Sequence, residues 1–513
     1  MENCIFFTIF VIPISSLIFC GLLGVVYTLW WKPKSSEKNF RSQGIKGTSY
    51  SLFQGEKEEM LRASLESWSK PMSLNHKIVP YVLPFIHQTV QKYGKFSLGW
   101  NGTRPRLTAA EPELIRLVLG DKSGHIIKPP LNPLVDLLQK GVSTLEGESW
   151  AKRRKLITPA FHLHKLKGMA TAFSSSCIDL INRWKKLGCS GSCEIDVAPE
   201  FNTLAGDVIA RTAFGSSYEE GKRIFELQKQ QIALVLEAHH AMYFPGLRFL
   251  PTKSNKKRHN LDKEIKAALW GIIRKKEQAM LMNKQSSNDD DLLGMLLKCT
   301  EQTENDLKIE DVIEECKLFY FAGQETTANL LTWTMIILCM HPNWQEKARE
   351  EVLNTCGKKM PDIEDLNRLK IVSMILHEVL RLYPPVTALF RYTCRRINIG
   401  GFSVPPSVEI TLPLLLLHHD PMYWGSDADE FNPDRFADGV AKASMDQLAF
   451  YTFGWGPRIC LGQNFAMIEA KMALAMILQN FTFEISASYT HSPITVITLQ
   501  PKHGAPIILH QTQ

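Results

Sequence analysis

The sequence predicts one large, mainly α domain with small β-sheets, placed behind a single N-terminal transmembrane helix. Three observations carry that prediction. From Asn3 to Trp31 there is no charged residue, a longer run than the roughly 20 apolar residues that span a bilayer as a helix. Beyond about residue 150 the apolar residues recur mostly with helical spacing. Strand-like pieces are short and scattered, too few for a doubly wound parallel sheet. At roughly 100–200 residues per domain, 513 residues would suggest three domains. The helical predominance and the lack of any 20–50-residue repeat favour one. The expected organisation is a membrane anchor at 1–31, a basic linker at 32–50 and one domain at 51–513.

The anchor is read from its flanks. Pro13 and the Ser15-Ser16 pair interrupt the apolar run, so neighbouring groups must satisfy the freed backbone. Lys32, Lys34, Lys38, Arg41 and Lys46 follow it, which keeps the bulk of the chain cytosolic and sets Trp30-Trp31 at the interface. A cleaved signal peptide is the competing reading, but the basic n-region and a small-residue cleavage site are missing. Eleven cysteines, an odd and irregularly spaced set, fit free thiols in a reducing compartment. On that topology the triplets Asn101-Gly-Thr103 and Asn480-Phe-Thr482 are bystanders rather than glycosylation sites.

Composition narrows the class further. At 22% charged and 45% hydrophobic the chain is neither a disordered tail nor a multi-span transporter. A net charge of +7 is too mild for nucleic acid, and favours an acidic partner or an anionic membrane surface. The expected helices are 205–214, 222–243, 261–282, 309–340, 344–356, 371–382 and 463–479, with strands at 95–100, 397–399, 409–412 and 494–499. The tracts 188–192 and 285–291 read as solvated loops.

The most informative segment is Phe453-Gly-Trp-Gly-Pro-Arg-Ile-Cys-Leu-Gly462. A chance match at its five telling positions, Phe453, Gly456, Arg458, Cys460 and Gly462, is on the order of one in ten thousand. Its glycines permit a tight turn and close approach to a flat ligand. Cys460 ends the loop where a following helix offers free N–H groups and its positive dipole end, which favour a thiolate. The plain alternative is a buried structural cysteine. A nucleotide loop at Gly454-Trp-Gly456 is disfavoured by the spacing of the third glycine.

This segment resembles the haem-binding loop of the cytochrome P-450 superfamily, and further motifs extend the likeness over nearly the whole chain. The resemblance implies the P-450 fold and a haem b (iron protoporphyrin IX) held by an axial thiolate from Cys460, with Phe453 and Gly456 in the cofactor loop. A thiolate ligand on haem iron favours O–O cleavage. Glu378-Val-Leu-Arg381 sets an acid and a base three residues apart on one helix face, an ordinary surface pair by itself. The resemblance makes it a buried structural pair joined by Arg435.

Ala322-Gly-Gln-Glu-Thr-Thr327 is expected to interrupt the longest helical stretch, 309–340, where Gly323 costs about 1 kcal/mol relative to Ala. Thr326 alone would simply bond the carbonyl of Ala322. The resemblance instead implies a bend with a widened turn, and makes Glu325 and Thr326 the catalytic proton donors to bound oxygen. Trp150 and Arg154, one helical turn apart, together with Arg391 and Arg458, are implied as contacts of the haem propionates. The bland reading of Arg154 is a solvated basic face with Lys152, Arg153 and Lys155, and that face also suits an acidic electron donor.

Closer still, the chain is similar to the plant subfamily that contains secologanin synthase. The carrying stretches are Gln43-Gly-Ile-Lys-Gly47, Asn132-Pro-Leu134, Pro159-Ala-Phe-His162, Arg211-Thr-Ala-Phe-Gly-Ser-Ser-Tyr218, Ile313-Glu-Glu-Cys-Lys-Leu-Phe-Tyr320 and Gln500-Pro-Lys-His-Gly-Ala505. Only Pro33 stands where many relatives carry a proline-rich hinge. The resemblance implies a monooxygenase in the endoplasmic-reticulum membrane that oxidises a small apolar terpenoid: an iridoid, triterpenoid, steroidal or gibberellin-type compound. Segments 127–138, 238–250, 318–322, 386–389 and 495–497 are expected to line its pocket, with Thr387, His239 and His240 among the few polar residues. No dinucleotide fingerprint is present, so electrons are expected from NADPH through a separate P-450 reductase. Two other classes stay in view: a haem-thiolate isomerase or dehydratase that needs no O2, and a non-enzymatic haem sensor or scaffold.

Overall fold

The computed structural model describes residues 12–52, 55–130, 133–138, 140–187, 191–240, 246, 249–282, 291–301, 307–445 and 449–512. Most of the expected loops 188–192 and 285–291, most of segment 238–250, and the side chains of His239 and His240 lie outside that description. The chain divides into two compact units.

The first unit comprises Met1–Ser67, Leu83–Pro129 and Ala388–Pro413. Its helix α1 (Ile12–Val26) passes through a π turn (Tyr27–Trp31) directly into α2 (Lys32–Ser42). The segment from Ile14 to Ser42 is long and apolar enough to cross a membrane. The stretch expected as a basic linker therefore begins as a continuation of the anchor helix. Glu37 ties α2 down by accepting from Lys34 at 2.9 Å, Arg41 at 3.1 Å and the Tyr50 amide at 3.3 Å. Tyr50 Oη donates to the Leu29 carbonyl, and the Tyr50 ring meets Trp30 and Trp100 edge-on.

Trp100 belongs to β1 (Phe96–Asn101), which pairs antiparallel with β2 (Arg104–Ala109) in register Phe96↔Ala109. β3 (Ile126–Ile127), β4 (Leu389–Thr393) and, after the hairpin β5 (Ile397–Ile399) and β6 (Phe402–Val404), β7 (Glu409–Leu412) complete the sheet in the order β1-β2-β7-β4-β3. β2 and β7 run parallel, the other pairs antiparallel. Gly400 and Gly401, with φ of 58° and 89°, give the two-residue turn of the β5–β6 hairpin the left-handed backbone it requires. The Asn101 amide donates to both carboxylate oxygens of Glu409, at 2.8 and 2.7 Å. A glycan at Asn101 would have to break that contact.

The second unit comprises Trp68–Val82, Pro130–Thr387 and Leu414–Gln513, and is mainly helical. Counting on from α3 (Pro84–Tyr93) and α4 (Pro112–Leu119) of the first unit, it contains α5 (Gly147–Ile157), α6 (Ala170–Leu187), α7 (Val197–Phe214), α8 (Tyr218–His240), α9 (Lys253–Met282), α10 (Leu292–Thr300), α11 (Ile309–Met340), α12 (Pro342–Cys356), α13 (Lys370–Leu382) and α14 (Gln463–Asn480). Helix α11 is buried on every side from Thr327 to Leu338, where the sequence is uncharged and mostly apolar. Helix α7 starts where Asp196 accepts from the Ala198 amide at 3.1 Å and stops at Gly215, whose φ is 60°. A three-stranded antiparallel sheet places β11 (Pro506–Gln511) between Ser192–Asp196 and β8 (Phe481–Ile485). A separate hairpin, β9 (Pro493–Thr495) and β10 (Leu499–Pro501), carries Val496, Ile497 and Thr498 at its tip.

Candidate active site

The cysteine loop runs into α14. Gly454 and Gly456 take φ of 75° and 70°, conformations that a side chain would strain. The Cys460 amide closes the loop by donating to Phe453 O at 2.9 Å. Cys460 keeps accessible surface, while protein atoms crowd its sulfur. That crowding raises the thiol's pKa above the ordinary range, outweighing the Gly462 N–H and the Arg154 guanidinium, which both lower it. Coordination to a metal would favour the thiolate.

Three residues named from the sequence meet beside this loop. Arg154 Nη2 donates to Ile459 O at 2.7 Å. Arg458 Nη2 donates to Leu145 O at 2.7 Å and pairs with Glu146, and its guanidinium lies 4.5 Å from the centre of the Trp150 ring. The partners Leu145 and Glu146 carried no signal in the sequence. Arg153 leaves the expected basic face: it is buried, and Nη1 donates to Glu315 Oε1 at 2.8 Å. Lys152 and Lys155 remain exposed on α5. Arg391 is buried on β4 of the first unit, where Nη1 donates to Phe390 O at 2.8 Å.

Helix α11 runs through Ala322–Thr327 without interruption, so the expected widened turn is not found. Gly323 has a different use: a Cβ there would stand 2.7 Å from Ile209 Cγ1 on α7. Thr326 Oγ1 donates to Ala322 O at 2.8 Å, the ordinary helix back-bond. Glu325, half-buried, accepts on Oε1 from Thr498 Oγ1 at 2.7 Å.

The acid–base pair on α13 is fully buried. Arg381 Nε and Nη2 each donate to Glu378 at 2.7 Å, and the remaining Arg381 donors reach the carbonyls of His418, Ala428 and Glu430. Arg435 Nε lies 3.6 Å from Glu378 Oε1, joining the pair as the resemblance implies.

Sequence comparison addresses the whole of this arrangement. The family profile described as Cytochrome P450 matches residues 81–505.

The chain belongs to the cytochrome P450 family.

It is 52% identical over 492 residues to Cytochrome P450 CYP72A616 of Paris polyphylla, covering 94% of this chain and 95% of that one. It is 49% identical over 499 residues to 11-oxo-beta-amyrin 30-oxidase of Glycyrrhiza uralensis, covering 95% of each. To Secologanin synthase 1 of Catharanthus roseus it is 45% identical over 505 residues, covering 96% of each. The chain thus has the P450 fold and is a cytochrome P450 monooxygenase, whose family uses haem with thiolate ligation. The residues present fit that group. Among the described residues no cluster of three or more His, Cys, Asp or Glu side chains is arranged to hold a bare metal ion. A cysteine that keeps accessible surface suits an iron that arrives already held by a macrocycle, and Arg154 and Arg458 beside it suit the macrocycle's carboxylates.

Proposed function

We propose that this P450 uses O2, with electrons passed from NADPH by a separate reductase, to oxidise a C–H bond of a plant terpenoid of the iridoid, triterpenoid, steroidal or gibberellin type. The observation that carries the substrate class is an apolar cluster. Leu138, Val235 and Phe321 are buried together, with Val135, Ile232 and Ile497 packed against them. Three of the segments expected to line the pocket meet there, joined by α8. Thr387 and Thr495, whose hydroxyl oxygens are 3.5 Å apart, bring in a fourth segment and one polar contact. A wall of branched and aromatic side chains with few polar groups suits a terpene skeleton. The relatives named as an oxidase of 11-oxo-beta-amyrin and as secologanin synthase support the same class.

In this reading Cys460 is the axial ligand, and Phe453 and Gly456 shape its loop. Trp150, Arg154, Arg458 and Arg391 receive the propionates, as N–H donors suited to a carboxylate. When bound, the haem supplies oxygen activation. Glu325 and Thr326 hold and pass the protons that reduction of oxygen consumes. The anchor holds the protein in the endoplasmic-reticulum membrane with its catalytic part in the cytosol, and exposed Lys152 and Lys155 suit an acidic donor protein.

The test is expression with a plant reductase in microsomes and mass-spectrometric screening of a terpenoid panel. An oxidised product that needs NADPH and is lost in Cys460→Ser, together with the thiolate-type Soret band of the reduced carbon monoxide complex, supports the reading. A Cys460→Ser protein that keeps both band and turnover removes Cys460 as ligand. Product formed without NADPH or reductase would replace monooxygenation by rearrangement, and glycans on Asn101 or Asn480 would overturn the topology.

A further inference from the structure

Glu325 is held from outside its own helix. Thr498, at the tip of the β9–β10 hairpin, donates from Oγ1 to Glu325 Oε1 at 2.7 Å. The same hydroxyl accepts from Asn329 Nδ2 at 2.8 Å. Asn329 Nδ2 also donates to the Glu325 carbonyl at 2.9 Å, one helical turn back. Asn329 and Thr498 are both buried, at 7% and 3% exposure, whereas Glu325 itself is half-buried. The direction of the chain is fixed by chemistry: an amide NH2 only donates, so the hydroxyl that accepts from it has its own proton left for the carboxylate. A flexible side chain at the edge of a buried region is thus oriented by a hydroxyl that has little freedom of its own.

We infer that Thr498 is a positioning residue for Glu325, fixing its carboxylate through a hydrogen bond that Asn329 orients. This rests on the proposed role of Glu325 in proton delivery. Preorganised polar groups act because they need not reorganise when the reaction draws on them, and two buried partners supply that order here. Thr326 cannot do so, because its hydroxyl is directed to the Ala322 carbonyl.

The experiment uses the full-length haem protein with reductase and NADPH and no added organic substrate. Oxygen then leaves either as hydrogen peroxide, with one NADPH and one proton per O2, or as two water molecules, with two NADPH and two protons. The fraction of O2 recovered as peroxide reads the proton supply. A second readout needs no turnover: the infrared carboxylate band of Glu325, isolated in the resting ferric protein as the difference from Glu325→Gln.

Glu325→Gln is expected to raise the peroxide fraction. Thr498→Val should raise it at least half as far and shift the carboxylate band, while Thr498→Ser keeps both at wild-type values. If Thr498→Val does not assemble, judged by its reduced carbon monoxide spectrum, Thr498→Ala takes its place. Wild-type band and peroxide fraction in Thr498→Val, with Glu325→Gln altered, overturn the positioning role alone. A shifted band with an unchanged peroxide fraction overturns it too, by showing a hydrogen bond that does not serve proton supply. An unchanged Glu325→Gln removes the role of Glu325, and with it that of Thr498.

Discussion

Arg153 Nη1 on α5 and Glu315 Oε1 on α11 are 2.8 Å apart, with the Glu315 side chain fully enclosed. The Val142 amide donates to the other oxygen at 3.1 Å, and burial nevertheless pushes the Glu315 pKa up to about 7. An unfolded glutamate loses its proton near 4.5, so between those values the folded chain binds more protons than the unfolded one. Stability therefore falls as pH rises through that window, by on the order of 3 kcal/mol in all. Glu315→Gln should flatten that part of the profile, checked by denaturation midpoints at pH 5 and pH 7.5. An equal pH dependence in the variant would assign the effect elsewhere.

Truncating Glu378 leaves Arg381 buried with only carbonyls and the Trp424 ring as partners. Glu378→Ala is expected to cost about 3–5 kcal/mol, as uncompensated buried charges do. Thermal unfolding together with haem content reads the loss; a cost under about 1 kcal/mol, the surface-pair figure, would contradict the geometry.

Gly323 gives opposite signs under two readings. If it were only a weak point in α11, Gly323→Ala would stabilise by about 1 kcal/mol. The close approach of Ile209 predicts destabilisation by about 1–3 kcal/mol from overpacking instead. A double-mutant cycle with Ile209→Val should recover part of that loss.

Thr326→Ala should still bind haem and substrate and still consume NADPH. If Thr326 passes a proton, product per NADPH should fall and peroxide or water should rise, within the 10²–10⁴-fold that a positioned donor commonly contributes. Unchanged coupling would leave the hydroxyl as the back-bond to Ala322 and nothing more.

His76 lies within a buried chain of rings: its Nε2 is 2.9 Å from His341 Nε2, and its Nδ1 is 3.1 Å from Tyr383 Oη. Tyr383 Oη in turn lies 3.4 Å from His491 Nε2. Burial, reinforced at His76 by nearby His341, His419, His491 and Arg381, pushes His76 down to about 3, and burial takes His491 down to about 4. Both stay neutral when folded but take a proton near 6.5 when unfolded, so stability is lost as pH falls below that value. Each contributes a slope of about 1.4 kcal/mol per pH unit. His76→Gln should make acid unfolding between pH 6 and pH 4.5 shallower by about that amount; a parallel curve would exclude it.

Legibility followed the length and periodicity of each element. Helix 309–340 and strands 397–399 and 409–412 coincide with α11, β5 and β7, because each is an uninterrupted apolar or alternating run. Helices expected from 205 and 261 begin earlier, at Val197 and Lys253: Pro199 obscures the start of the first, and Lys253–Asn260 is polar in sequence although Asn255 and Arg258 are buried. The strand expected at 494–499 is instead two strands and a tip, and that tip holds Thr498. Cys460 and Arg458 stood out by composition of one contiguous loop. Thr498, Asn329, Glu146 and Glu315 did not, because their roles come from partners up to 312 residues away.

The continuity of α1 and α2 bears on the proposed membrane topology. At about 1.5 Å per residue, residues 12–42 make a rod of roughly 45 Å. Tyr50 clamps that rod near Leu29 and leans on Trp100 of β1. On the membrane topology proposed above, the rod would act as a shaft and not as a tether. A tether absorbs a change of membrane thickness in slack, whereas a shaft answers hydrophobic mismatch by tilting. On the proposed topology that tilt would load the β1-β2 ladder through the Tyr50–Trp100 contact.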